Sequence, residues 1–164
     1  MSYKYKILFL VAPAVLLLDQ WTKSLILGHL VLGQTIPVIP DFFDLVHVRN
    51  SGAAFGLLAS WGDGLRVPFF YGISFLAVCF LGYFFTTLPK EDRFHPWPLS
   101  LITAGVFGNL IDRIRFGNVV DFLSFHIGDQ SLWGIPLIWP AFNVADSAIT
   151  ISMILLAFSF LQKK

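Results

Sequence analysis

Two aspartates, Asp121 and Asp146, lie in short polar runs beside long apolar segments of the chain. A charged side chain at the centre of a membrane helix costs roughly 2.5–3.5 kcal/mol. A carboxyl group retained close to such a segment is therefore a candidate for function. Two carboxyl groups that share one proton can activate a water molecule. These residue types predict acid–base chemistry carried by a pair of carboxyl groups.

The sequence spacing does not decide which carboxyl groups form the pair. Asp19, Asp112, Asp121 and Asp146 all fall on the same predicted side of the membrane, and they form six possible pairs. Two of them also have a simpler interpretation. Asp121 could be a solvated loop acid, and Asp146 could compensate the positive end of a helix dipole. The choice among these acids stays open on spacing alone.

Other polar residues recur at helical spacing near these acids. Asp19 and Lys23 are four residues apart and can pair, either as a structural ion pair at a helix end or as groups that face a substrate. Asn109 and Arg113 also share a helix face, although Arg113 could instead be an interface anchor. Asp112 is rotated by about 100° from Arg113, so it need not face the same cavity.

Two further polar positions are candidate binding residues. Asn50 heads a run of small residues that includes Gly52 and extends to Gly56. Such a run permits another backbone to approach closely, or it forms a simple turn. Asn143 precedes Asp146 by three residues and shares its helix face. Asn143 could therefore hydrogen-bond the carboxyl group or hold the backbone of a substrate.

Composition restricts the class of protein. The chain is 56% hydrophobic and 13% charged, whereas soluble domains contain about 25% charged residues. Its length of 164 residues fits one domain. A net charge of +1 argues against binding nucleic acid, and a single cysteine excludes an intramolecular disulfide. No metal-ligand spacing or nucleotide-binding loop is visible, so we expect no metal and no cofactor.

Four long apolar runs predict an all-α membrane protein with four transmembrane helices. The predicted spans cover residues 7–27, 67–88, 95–114 and 141–161 of a single domain, 1–164. Residues 28–66 and 115–140 are predicted to be extracytoplasmic. Within them, Phe43–Val48 and Val119–Phe125 have the composition of strands. We therefore expect a small extracytoplasmic β-sheet, with a short extracytoplasmic helix or loop.

Together, five motifs resemble those of lipoprotein signal peptidase (signal peptidase II), a family of bacterial intramembrane aspartyl peptidases. In chain order the motifs are Asp19-Gln20-x-x-Lys23, Asn50-x-Gly52-x-Ala54-Phe55, Gly108-Asn109-Leu110-Ile111-Asp112-Arg113, Val119-Val120-Asp121-Phe122 and Phe142-Asn143-Val144-Ala145-Asp146-Ser147. Each motif alone is modest. Their order and their placement on four spans make the resemblance specific, and it covers nearly the whole chain.

The resemblance implies a catalytic pair and a substrate. It selects Asp121 and Asp146 as the catalytic dyad. It also implies substrate-binding or dyad-supporting roles for Asp19, Lys23, Asn50, Gly52, Asn109, Arg113 and Asn143. The implied substrate is a prolipoprotein whose cysteine already carries diacylglycerol, cleaved on the N-terminal side of that cysteine without a cofactor. The implied enzyme is monomeric, lies among the phospholipids of the bacterial inner membrane, and has its active site near the extracytoplasmic face.

Two other functions are compatible with buried acids in a membrane protein. A proton-coupled transporter or channel subunit could use the same carboxyl groups as a relay, and broken helices or a repeat between the two halves would favour it. Neither feature is visible in the sequence. A purely structural assembly subunit leaves the clustering of polar motifs on one side unexplained.

Overall fold

The computed structural model describes residues 1–52, 61–132 and 135–162. Within these ranges the chain forms four helices and four strands, and the strands follow one another in two pairs. Their bounds are α1 Tyr3–His29, β1 Thr35–Ile39, β2 Phe43–Asn50, α2 Asp63–Thr87, α3 Pro96–Phe116, β3 Val119–Leu132, β4 Ile135–Phe142 and α4 Val144–Gln162. Residues 141 and 142, which the apolar pattern assigns to a fourth span, belong to β4. The predicted membrane-protein architecture with helices and a small sheet is confirmed.

Helix α3 lies at the centre of the helix bundle, where it contacts α1, α2 and α4. It begins at Pro96, a position where a helix has no use for the missing N–H group. It ends at Phe116, and the capping residue Gly117 adopts a left-handed backbone conformation with φ of 74° and donates its N–H to the carbonyl oxygen of Arg113 over 2.9 Å. Proline and glycine thus set the two ends of the central helix.

Two glycines of α3 permit close contact with its neighbours. A Cβ atom added at Gly105 would lie 2.5 Å from the carbonyl oxygen of Ala145 on α4. A Cβ atom added at Gly108 would lie 2.6 Å from a carboxyl oxygen of Asp19 on α1. Small residues at such contacts let helix backbones approach one another. The contacts bring the polar residues of three helices together at one level of the bundle.

Three of the described helices, α1, α2 and α4, are long and apolar enough to cross a membrane. Helix α3 has 21 residues, but Asp112, Arg113 and Arg115 make its last turns polar. Its central position accommodates Asp112, which is one of eight residues of α3 that are buried against protein. The outer helices instead expose large apolar side chains such as Phe75 and Phe160. The chain is a multi-pass membrane protein.

The four strands form one antiparallel sheet in the order β1-β2-β3-β4. Both segments of strand-like composition lie in it, the first within β2 and the second within β3. The sheet packs on the C-terminal end of α1, where Ile26 and Leu30 form a buried cluster with Val120 and Phe122. This contact fixes the height of strand β3 relative to the helices.

The opposite end of the bundle is held by polar contacts. The ammonium group of Lys4 on α1 is buried and donates to the carbonyl oxygens of Phe85, Thr86 and Leu88, over 3.0, 2.9 and 2.8 Å. These carbonyls lie in the last turn of α2 or directly after it, where a helix offers them no partner. A cation at this position also complements the negative end of the helix dipole. Lys4 thus ties α1 to the end of α2.

Candidate active site

Asp121 lies on β3, opposite Val48 of β2. Its side chain is 1% exposed, so the interpretation as a solvated loop acid is wrong. The side-chain amide of Asn143 donates to Asp121 Oδ1 over 2.7 Å. The pairing of β3 with strands on both sides holds the backbone that carries this carboxyl group.

Asp146 lies in the first turn of α4. Asn143 and Asp146 exchange hydrogen bonds at the helix start: the Asn143 N–H donates to Asp146 Oδ2 over 3.2 Å, and the Asp146 N–H donates to Asn143 Oδ1 over 2.9 Å. This reciprocal arrangement is that of a capping box. Asn109 of α3 donates to the other oxygen, Asp146 Oδ1, over 2.8 Å. The carboxyl group therefore caps the helix and also faces α3.

The side chain of Asn143 brings the two acids together. Its Nδ2 contacts Asp121 Oδ1 and also lies 3.2 Å from Asn109 Oδ1, while its Oδ1 accepts from the Asp146 backbone. Asn143 is fully buried. The buried amide fixes the orientation of the Asp121 carboxyl group, and the backbone N–H of the same residue holds the Asp146 carboxyl group. Of the six possible acid pairs, this network joins Asp121 with Asp146.

Both acids line a cleft of about 1290 Å³ between the sheet and the helices α3 and α4. Four of the other predicted site residues line the same cleft: Asn50, Gly52, Asn109 and Arg113. Its remaining wall is largely apolar and includes Phe142, Ile149 and Met153. An apolar cleft with a few convergent polar groups is typical of a binding site. The acids therefore lie where a substrate with apolar groups can reach them.

The environment of Asp121 favours its protonated form. Burial raises the pKa of the carboxyl group, and the negative charge of Asp146 raises it further, to about 7. Hydrogen bonds from Asn50 and Asn143 and the positive charge of Lys23 oppose this rise. Two carboxyl groups in one site do not ionise independently, so the pair retains a proton close to neutral pH.

Arg113 joins α3 to the chain that follows β2. Its guanidinium group donates to the carbonyl oxygen of Gly52 over 3.1 Å and lies 4.4 Å from the ring centroid of Phe70. The Gly52 N–H donates to Asn50 Oδ1 over 3.0 Å. The rest of the small-residue run, from Ala53 to Gly56, lies outside the described residues.

Asp19 and Lys23 lie behind the dyad and are almost completely buried. Lys23 Nζ is 2.9 Å from Asp19 Oδ2 and 3.0 Å from Asp112 Oδ2, and it donates to Asn109 Oδ1 over 3.2 Å. The spacing of α3 predicts this division, since Asn109 and Arg113 line the cleft while Asp112 points to Lys23. The contacts favour a structural ion pair at Asp19 and Lys23 over groups that face a substrate.

Two residues of this network were not predicted as site residues. Asp112 is one of the four candidate acids, but the family resemblance assigns it no role, and Gln20 belongs to a motif without a role of its own. Gln20 Nε2 donates to Asp19 Oδ2 and to Asp112 Oδ1, over 3.1 Å in each case. Its position three residues before Lys23 was the available signal, because residues at that spacing are neighbours on a helix.

The sequence is similar to that of one known protein family. The sequence profile of the family described as Signal peptidase (SPase) II matches residues 11–162. The lipoprotein signal peptidase of Syntrophotalea carbinolica is 48% identical over 156 residues, which are 94% of this chain and 91% of that protein. The lipoprotein signal peptidase of Syntrophus aciditrophicus is 42% identical, over 96% of this chain and 94% of that protein. The chain belongs to the signal peptidase II family.

A solved structure supports this family membership at the level of the fold. A bacterial membrane enzyme determined by the in meso method at 2.3 Å resolution superposes with a TM-score of 0.82. It is 35% identical to this chain, and the match covers 98% of this chain and 91% of that one. The comparisons favour neither a transporter nor a structural subunit. Among residues 1–52, 61–132 and 135–162, no group of three or more metal-binding side chains is placed to hold a metal ion.

Proposed function

We propose that this member of the signal peptidase II family is an aspartyl endopeptidase, with Asp121 and Asp146 as its catalytic dyad. It removes the signal peptide from prolipoproteins whose cysteine carries diacylglycerol, and it cleaves on the N-terminal side of that cysteine. The observation that carries the proposal is the position of Asn143: its side chain donates to the Asp121 carboxyl group and its backbone N–H donates to the Asp146 carboxyl group, where both acids line one apolar cleft.

The proposed chemistry uses one proton shared by the dyad. The ionised carboxyl group accepts a proton from a water molecule, and the oxygen of that water attacks the scissile carbonyl carbon. The protonated carboxyl group donates a hydrogen bond to the carbonyl oxygen as negative charge develops there. The dyad then protonates the leaving amine. The raised pKa of Asp121, about 7, supports the presence of the shared proton under neutral conditions.

The supporting residues have distinct proposed roles. Asn143 and Asn109 orient the carboxyl groups through the hydrogen bonds described above. Asn50, Gly52 and Arg113 lie at the cleft wall, where they can bind the peptide backbone near the scissile bond. Asp19 and Lys23 support the dyad from behind.

We place all four helices across the bacterial inner membrane, with both chain ends in the cytoplasm and the sheet on the extracytoplasmic side. Lys90 and Arg93, in the connection between α2 and α3, favour a cytoplasmic location for that connection. Helix α3 can cross the membrane despite its polar last turns, because Asp112 is buried against protein and the exposed Arg115 lies at the end of the helix next to the sheet. The active site then lies at the outer edge of the membrane, and the enzyme acts as a monomer surrounded by phospholipid.

The first experiment tests the dyad with a purified lipid-modified precursor. Asp121→Asn and Asp146→Asn each keep the size of the side chain but cannot exchange the proton, so each variant should lose cleavage while remaining folded. Asp44→Asn is a matched control, because Asp44 lies on the neighbouring strand β2 and pairs with His126. Near-normal turnover by either dyad variant would refute the aspartyl mechanism.

The second experiment tests the substrate class with matched precursors that differ only in the lipid on the cysteine. Each buried methylene group contributes about 0.8 kcal/mol of membrane affinity, so two acyl chains hold the cysteine at the depth of the dyad. This anchoring lowers the cost of orienting the scissile bond. The lipidated precursor should therefore be cleaved and the unlipidated one should not. Equal cleavage of both in detergent would instead indicate recognition of an ordinary signal peptide.

A further inference from the structure

Two buried carboxylates stand behind the proposed dyad, and two side chains of α1 bridge them. Asp19 is on α1 and Asp112 is on α3. Lys23 Nζ lies 2.9 Å from the first carboxylate and 3.0 Å from the second. Gln20 Nε2 donates to both over 3.1 Å. The four side chains form a closed unit, named here the carboxylate bridge, that fixes α1 against α3.

Each carboxylate of the bridge also holds one backbone N–H group of another element. Asp112 Oδ2 accepts from the N–H of Val120 on β3 over 3.0 Å. Asp19 Oδ1 accepts from the N–H of Ala145 on α4 over 2.9 Å. Val120 is the residue directly before Asp121, and Ala145 is the residue directly before Asp146. The carboxylate bridge is therefore hydrogen-bonded to the backbone of the residue directly before each member of the proposed dyad.

These two hydrogen bonds hold β3 and α4, which are otherwise positioned by different contacts. Strand β3 is positioned by the sheet, and α4 is positioned by its packing on α3. The carboxylate bridge positions β3 and α4 relative to each other, because the ammonium group of Lys23 and the amide group of Gln20 each contact both carboxylates. Charged acceptors form stronger hydrogen bonds than neutral ones, and buried ones have no competing water. Val120 and Ala145 are themselves fully buried.

We infer that Asp112 is a positioning residue of this enzyme, and that it acts with Asp19 to set the separation of the two catalytic carboxyl groups. The inference rests on the proposed function of Asp121 and Asp146. Asp112 touches no substrate, because it acts through the backbone of β3. It differs in this respect from Arg113, its neighbour in sequence, which lines the cleft.

The test compares two substitutions at one position. Asp112→Ala removes the acceptor of the Val120 N–H group, whereas Asp112→Asn keeps a carbonyl oxygen that can still accept from it. A misplacement of about 1 Å in a catalytic site can lower the rate by about 100-fold. Asp112→Ala should therefore lower kcat by about 100-fold with KM unchanged, and Asp112→Asn should restore a large part of this loss.

The pH profile separates positioning from a purely structural role. When the two catalytic carboxyl groups move apart, each raises the proton affinity of the other less. The alkaline limb of the kcat profile should then move to lower pH in Asp112→Ala. Lys4→Met is the matched control, because it removes a buried contact at the opposite end of the bundle. Its thermal stability should fall while its kcat and pH profile stay those of the parent.

The outcomes distinguish this inference from the proposed function. If Asp121→Asn is inactive while Asp112→Ala has the kcat and pH profile of the parent, the positioning role is overturned and the dyad stands. If Asp121→Asn is active, the dyad itself is wrong. Should Asp112→Ala fail to fold, Asp112→Asn decides the matter. It keeps the acceptor for Val120 but loses the charge that pairs with Lys23, so its kcat and the alkaline limb of its profile should shift in the direction expected for Asp112→Ala but by less, and parent values of both would overturn the positioning role.

Discussion

The ionised form of Asp121 should destabilise the folded protein, and this cost can be measured. The pKa of this carboxyl group rises from 3.8 in an unfolded chain to about 7 in the fold. Between these values the folded state binds more protons than the unfolded state. The free energy of unfolding therefore falls as the pH rises from about 4 to about 7, and it stays low above that range.

The size of the effect follows from the same shift. At about 1.4 kcal/mol per pKa unit, a rise from 3.8 to about 7 corresponds to roughly 4 kcal/mol at alkaline pH. Part of this cost belongs to the pair and not to Asp121 alone, because the charge of Asp146 contributes to the rise. Asp121→Asn removes the ionisable group but keeps an oxygen that can accept from Asn143. This variant should be more stable than the parent above about pH 7.

Thermal unfolding in detergent micelles, measured between about pH 4 and pH 9, provides the assay. The parent should lose stability with rising pH, and Asp121→Asn should lose much less. Asp146→Asn supplies the decisive comparison, because it removes the neighbouring charge and leaves Asp121 in place. Its fall in stability should occur at lower pH than in the parent. If all three proteins show the same pH dependence, the electrostatic account of the dyad is incorrect.

Three further predictions address packing, anchoring and topology. Gly105→Ala should destabilise the protein by about 1–3 kcal/mol, because the added methyl group meets backbone of α4; Gly82→Ala, in open space on α2, should be neutral or stabilising by up to about 1 kcal/mol in the same unfolding assay. Lys4→Met should lower thermal stability by about 1.5–3 kcal/mol, the value of hydrogen bonds made by a charged group, and equal stability would show that the lysine does not anchor α2. Cysteines introduced at Lys90 and at His126 should be labelled from opposite sides of the membrane, and labelling from one side would contradict the proposed topology.

The sequence predicted the helices well because long apolar runs have few other solutions in a membrane. It predicted β2 and β3 from their composition but missed β1 and β4. Both missed strands contain proline, for example Pro37 and Pro140, which argues against a strand. They occupy the two edges of the sheet, where a proline does not interrupt the hydrogen-bonded ladder. Edge position is a tertiary property that local composition does not contain.

In the candidate site, too, the sequence predicted local features but not the contacts between distant segments. The helical spacing of Asn109, Asp112 and Arg113 predicted which side chains face the same way. It could not predict that Asp112 accepts from the backbone of β3, or that Gln20 joins it across 92 positions of sequence. The choice of Asp121 and Asp146 came from family resemblance, because spacing alone left six pairs. Contacts between distant segments are settled by packing.

The two acids of the dyad are carried by different kinds of structure: Asp121 by a strand of the sheet, and Asp146 by the first turn of α4. Helix α4 has 19 residues, which at 1.5 Å per residue is about 28 Å, close to the roughly 30 Å of a bilayer hydrocarbon core. A bilayer of different thickness makes such a helix tilt or deforms around it. Either response would shift one half of the catalytic pair against the other. If the proposed dyad is correct, turnover should therefore depend on bilayer thickness and peak in the bilayer whose hydrocarbon core matches the length of α4.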